Sequence, residues 1–159
     1  MVGWLALLSI FQSVTPRTAV DAQLHMLGGI DLRVDCHVAF AEVWDGQRTN
    51  DGLTADYVFL FMRQPVRAGE GNAVLYIVTL SDGRSWIETA GIVSRSGDAW
   101  PDFSATVSMG WGWSRFTSDP AQPGRILYRA EEPHDHDSGY GLSEGSCRLV
   151  PQAVGGRPQ

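Results

Sequence analysis

Two cysteines, Cys36 and Cys147, lie 111 positions apart in the first and last segments of the chain that have strand character. No other feature restricts the possible folds as much. In an exported chain these thiols pair, and a disulfide brings the two backbone positions within ~7 Å of each other. The first and last strands of the domain must then be neighbours. In the chain-entropy picture a closed loop of ~100 residues is stabilised by ~4.7 kcal/mol, less any native strain. The alternative reading is a pair of buried free thiols in a cytoplasmic protein.

The strand character comes from hydrophobic periodicity. Ile30, Leu32, Val34, Cys36, Val38 and Phe40 alternate with Asp31, Arg33, Asp35, His37, Ala39 and Ala41, which predicts a half-buried strand with Cys36 on its buried side. Asp45 to Gly52 reads as a polar loop. Ala55–Met62 and Ala73–Leu80 are continuous apolar runs, rich in aromatic and β-branched residues, and are expected to be strands. Ser81-Asp82-Gly83-Arg84 carries the Asp-Gly signature of a tight hairpin, with the returning strand over Ser85–Ser94. Phe103, Ala105, Val107, Met109, Trp111 and Trp113 then alternate with small residues and read as one long strand with an aromatic face. Asp119 to Gly124 is a turn, Arg125–Ala130 a short strand, and Glu131–Gly139 a charged loop. Tyr140–Val150 is the last strand, with a bulge or bend expected near Gly145.

This pattern predicts an all-β fold: a single antiparallel β-barrel or β-sandwich of about seven to eight strands, its first and last strands linked by the disulfide. Barrel closure is favoured, because an up-and-down barrel sets its terminal strands side by side. The expected organisation is a signal peptide over residues 1–22, one β domain over 23–150 and a disordered tail over 151–159. The signal reading rests on the apolar run from Val2 to Phe11, the helix-breaking Pro16, and Ala19-Val20-Asp21-Ala22 before a cleavage point at Gln23. Against it stands the lack of a basic residue ahead of the run. An amphipathic helix packed on the domain, or a mis-assigned start codon, is the competing explanation. The localisation expected is secreted or periplasmic, with no transmembrane segment in the mature chain.

Composition narrows the functional classes. A formal net charge of −6 argues against a binder of phosphate backbones, so no nucleic-acid partner is expected. All twelve basic residues are arginine, which removes Schiff-base and P-loop lysine chemistry. Arg63, Arg67, Arg84, Arg95, Arg115, Arg125 and Arg129 fall near strand ends and read as ordinary solvated surface, with no anion site assigned.

Four sets of residues can carry chemistry. Trp86, Trp100, Trp111 and Trp113 are the candidate ligand-binding residues, as an aromatic surface that stacks on sugar rings or lines a barrel mouth. The competing reading places Trp111 and Trp113 in the core with Phe103 and Val107. His134, Asp135, His136 and Asp137 are the candidate metal ligands, since histidines two apart on an extended segment project to one side. Their spacing matches no strong zinc signature, and a solvated hydrophilic connection is the commoner explanation of acidic residues beside histidine. Gly141-Leu142-Ser143-Glu144-Gly145 has the form of a nucleophile elbow, but no histidine follows Ser143. His37, Asp102 and Ser138 run in the chain order of a protease triad, an order that arises readily by chance. No catalytic residue is assigned, and no cofactor is expected beyond a divalent metal at the acidic histidine loop. The function expected is a non-enzymatic binding module for a small ligand or a protein partner in the envelope or outside it. The alternative is a small metal-dependent enzyme or metal-binding module built on residues 131–137.

Overall fold

The computed structural model describes residues 30–62, 73–134 and 138–150. The expected signal peptide, the expected tail, Arg63, Arg67, Asp135, His136 and Asp137 lie outside the described residues. Eight strands form one closed antiparallel barrel in simple up-and-down order: β1 (Ile30–Trp44), β2 (Gln47–Met62), β3 (Ala73–Leu80), β4 (Ser85–Ser96), β5 (Ser104–Met109), β6 (Gly112–Ser118), β7 (Arg125–Pro133) and β8 (Tyr140–Val150). β8 returns to pair with β1, so the sheet has no free edge and the sandwich alternative falls away. Among the described residues no helix is long and apolar enough to cross a membrane.

Cys36 and Cys147 face each other across the closing seam and form the expected disulfide, with Cα atoms 4.0 Å apart. Both are buried, as the alternation around Cys36 requires. The ladder from Arg33 opposite Val150 to Val43 opposite Tyr140 keeps one register throughout. The bulge expected near Gly145 is therefore absent. Gly145 has another role: a Cβ there would stand 2.1 Å from the His37 carbonyl oxygen, so only glycine lets β8 approach β1 this closely.

An eight-stranded barrel has an interior just wide enough to be filled by side chains. Here aromatic residues fill it. Phe59 sits amid Phe116 (ring centroids 4.9 Å apart), Tyr128 (5.5 Å) and Tyr76 (5.7 Å), and Phe61 meets Phe103 edge-on. The interior is thus a packed core at this level. β2 and β3 are apolar on both sides of the wall. Leu60, Met62 and Leu75 form a separate buried cluster facing away from the main core, which accounts for their continuous apolar sequences. Elsewhere the outer wall carries ion pairs such as Arg33–Asp35, whereas Arg95, which pairs with Asp31, lies with its guanidinium over the ring of the core residue Phe61.

Besides the extension of β4 to Ser96 and of β7 to Pro133, into the loop expected from Glu131, two sequence-based boundaries shift. Gln47 to Thr54 is strand and not loop: this part of β2 runs beyond β3 and pairs with β1, which keeps its ladder to β8 through Val43, and the hairpin turns at Asp45-Gly46, both with positive φ. There the strand is exposed on both faces, so the hydrophobic signal vanishes although the backbone ladder continues. The second shift matters more. The long strand expected from Phe103 to Trp113 is folded back on itself at Gly110-Trp111 into β5 and β6, with Met109 opposite Gly112.

Candidate ligand groove at the β5–β6 hairpin

The turn at Gly110-Trp111 reverses which residues face the core. Along β5 the odd-numbered Ala105, Val107 and Met109 are buried; along β6 the even-numbered Ser114, Phe116 and Ser118 are. Trp113 and Arg115 are thereby turned outward. Trp113 is 56% exposed, a large aromatic surface left in solvent. β7 lies beside β6 with Glu131 opposite Trp113 and Arg129 opposite Arg115.

These residues line an open groove of about 640 Å³ that runs from the hairpin turn over the outer face of β6 and β7. Trp111 and Pro133 also contribute to the lining. Gly112 sits under it where the two strands come together. A Cβ at that position would lie 2.5 Å from the Glu131 carbonyl oxygen.

The wall behind the groove is fixed from within. Ser114 lies between Trp113 and Arg115 but points inward, fully buried. Its hydroxyl is 2.5 Å from the Met109 sulfur and 3.1 Å from the Tyr128 hydroxyl. Tyr76 donates to Glu88 nearby. Burial raises the pKa of both Tyr128 and Tyr76 above the usual phenol range. Tyr57 is pushed up to about 12, by burial first and then by the charges of Glu88 and Glu132. All three are neutral at physiological pH, and β6 is tied on its inner side through the Ser114 hydroxyl to Met109 of β5 and Tyr128 of β7.

The charges on the outer face are unevenly matched. Arg129 donates from Nε and Nη2 to Glu131 at 3.0 and 2.7 Å, and from Nη1 to Glu144 at 2.5 Å. The hydrogen bonds it donates to Glu131 hold the Arg129 pKa above its ordinary value. Arg48 reaches the other oxygen of Glu144 at 2.5 Å. Arg115 stands directly opposite Arg129 and has no hydrogen-bond or ion-pair partner among the described residues. Like charges in opposed positions repel, so an uncompensated guanidinium here works against the fold's own stability. Such a violation of local logic is expected at functional positions.

No family model, curated protein or solved structure matches this chain. The site must therefore be read from its own chemistry.

The structure brings Trp111 and Trp113 to the groove, Trp111 while packed against the main core as the competing reading has it and Trp113 turned outward, and disperses the other two candidate tryptophans. Trp86 lies at the start of β4 opposite Val78, 41% exposed. Trp100 packs on the main core near the β4–β5 connection, where its indole Nε1 donates to the Asp119 carbonyl at 3.0 Å.

The acidic histidine segment is different again. His134 stacks on Trp44 with ring centroids 4.8 Å apart, and its Nε2 lies 2.8 Å from a Glu42 carboxylate oxygen. Asp135, His136 and Asp137 lie outside the described residues. No group of three or more His, Cys, Asp or Glu side chains poised to hold a metal occurs among the described residues.

Ser143 is buried within β8, which continues as strand through Val150, so the strand-to-helix turn of an elbow is missing at this serine. His37 pairs with Asp56 at 2.8 Å and Ser138 with Asp45 at 2.8 Å, so neither joins a triad with Asp102.

Arg115, Arg129 and Glu131 escaped the sequence-based reading as ligand contacts. One signal was available. In Trp113-Ser114-Arg115-Phe116 the polar and apolar phases exchange places, which marks a turn just before.

Proposed function

We propose that this protein is an exported, non-enzymatic binding module, and that the groove over β6 and β7 takes a small ligand. The observation that carries this reading is the exposed Trp113 beside the guanidinium of Arg115, which has no partner among the described residues. A flat apolar surface with a few convergent polar groups is the usual composition of a small-molecule site. The packed interior supports placing the ligand on the outer wall, because the barrel axis at the level of Phe59 is filled with rings. Export is supported by the Val2–Phe11 run and by the cross-seam disulfide, which persists in oxidising compartments.

Binding is tested by displaying the oxidised protein against a panel of oligosaccharides and small organic anions, with Trp113→Ala alongside. The expected result is at least one probe held by the native protein and lost by the variant. Silence across the panel, or binding that survives Trp113→Ala undiminished, overturns the reading. So does substrate hydrolysis abolished by a single side-chain change. Export is checked separately by mass spectrometry of the native protein. The mature species should begin at Gln23 and be two hydrogen masses lighter than its dithiol form. An intact Met1 with two free thiols refutes it.

A further inference from the structure

We infer that the groove's ligand is an acidic sugar: a hexuronate unit of an oligosaccharide, its ring against Trp113 and its carboxylate on Arg115. The inference rests on the groove being a ligand site, and it names the ligand's class.

The charge distribution supplies the first argument. Two carboxylates, Glu131 and Glu144, face three guanidiniums, Arg48, Arg115 and Arg129, on this part of the outer wall. The carboxylates are engaged by Arg48 and Arg129, and Arg115 is the guanidinium left over. A ligand carboxylate fits the guanidinium fork in a bidentate manner and relieves the repulsion between Arg115 and Arg129.

Shape and polarity supply the second. An indole face carries partial negative charge and attracts the polarised C–H bonds on the flat side of a pyranose ring. The rest of the lining offers both kinds of hydrogen-bonding group beyond the Arg129–Glu131 pair: Arg129 keeps a second hydrogen on each Nη, and Glu131 keeps Oε2, since both bonds from Arg129 fall on Oε1. A saccharide has an apolar face and a rim of hydroxyls that both donate and accept, and the groove presents the complement. A purely aromatic acid would leave Glu131 facing an apolar rim. A nucleic-acid strand needs a row of cations along its phosphates, and the groove's lining holds two arginines, one of them, Arg129, already ion-paired. The groove is open along the wall, so a longer chain can carry its neighbouring units past the site.

The test is calorimetric titration of the oxidised full chain at low salt with an oligogalacturonate, a neutral gluco-oligosaccharide of equal length, and inorganic sulfate. The expected order is clear binding of the oligogalacturonate, neutral oligosaccharide roughly tenfold or more weaker, and no competition by equimolar sulfate. Arg115→Gln should weaken the oligogalacturonate by roughly tenfold to a hundredfold, with partial recovery in Arg115→Lys. Binding should also weaken with added salt.

Neutral sugar bound as well as acidic sugar overturns the acidic class and leaves the groove reading intact. Effective competition by sulfate overturns the sugar class, because the groove is then a simple anion site. No saccharide binding, with another probe still lost in Trp113→Ala, has the same consequence. Failure of every probe removes the groove reading and this inference together. Thermal melting of each Arg115 variant checks that it folds, and an exposed residue of this kind should leave the melt within a few degrees of the native protein.

Discussion

The β1–β8 seam and the β5–β6 hairpin sit in the same barrel and use glycine and close strand approach in the same way, yet they do opposite things with their side chains. At the seam, Cys36 and Cys147 turn inward, join covalently and are buried, and Gly145 draws the two backbones together. At the hairpin, Gly112 draws β6 against β7, and the larger side chains, Trp113 and Arg115, turn outward with no internal partner to hold them. The seam spends its residues on closing the barrel. The hairpin leaves its residues uncommitted, and uncommitted surface is what a ligand can use. The lesson is that in a closed barrel with a filled interior, function is to be sought where outward-facing residues break local rules.

The largest expected effect tests the seam. Reduction of the Cys36–Cys147 bond should lower the unfolding free energy by about 2–5 kcal/mol, because it releases a loop of 111 positions in the unfolded chain. Urea unfolding of oxidised and reduced protein, by far-ultraviolet circular dichroism, measures it. The midpoint should fall sharply, whereas saccharide binding below that midpoint should persist. A loss under about 1 kcal/mol would mean that the hydrogen-bonded ladder closes the barrel unaided, and the contrast between seam and hairpin would lose its basis.

Gly145→Ala should follow in size. The new Cβ would meet the His37 carbonyl and the Val38 Cα, which are backbone atoms and cannot rotate away. Forcing β8 from β1 should cost about 1–3 kcal/mol, the usual range for overpacking a tight site. The effect is read from the same urea curves with the disulfide intact. A variant as stable as the native protein would show that the seam relaxes easily, so that the close approach of the strands is incidental to its stability.

How far these two regions could be read from sequence differs for a physical reason. The seam lies in strands whose inner and outer faces differ strongly in polarity, so the alternation around Cys36 reported burial, and two cysteines at the chain's extremes implied adjacency. The hairpin hides its turn. Met109-Gly110-Trp111-Gly112-Trp113 continues the period-two alternation unbroken and lacks the Asn-Gly or Asp-Gly pair that marks tight turns elsewhere, as at Asp82-Gly83. Only the exchange of phase at Arg115 and Phe116 betrays it. Missing that turn puts Trp113 in the core, and the groove disappears from view. Its charged residues were equally hidden, since the pairing of Arg115 with Arg129 depends on a strand register that sequence does not carry. The β1–β2 hairpin shows the converse problem: Gln47 to Asn50 are exposed on every side, and a strand without a buried face has no hydrophobic signature to detect.

The smallest expected effect is the most discriminating. Trp113→Ala removes the largest exposed side chain of the hairpin, and in most folded domains loss of a tryptophan is severe. Truncation of a buried one typically costs about 3–5 kcal/mol. Here the ring is more than half in solvent, and the buried contacts of β6 belong to Ser114, Phe116 and Ser118. The expected loss is therefore about 0.5 kcal/mol or less, the usual range for surface positions. Urea unfolding of the variant, run beside reduced protein and Gly145→Ala, places all three on one scale. If Trp113→Ala instead destabilises as much as Gly145→Ala, the indole is a structural clasp over β6 and β7, and loss of binding in that variant would no longer speak for a ligand platform. If stability is unchanged and binding is lost, Trp113 serves the ligand and not the fold.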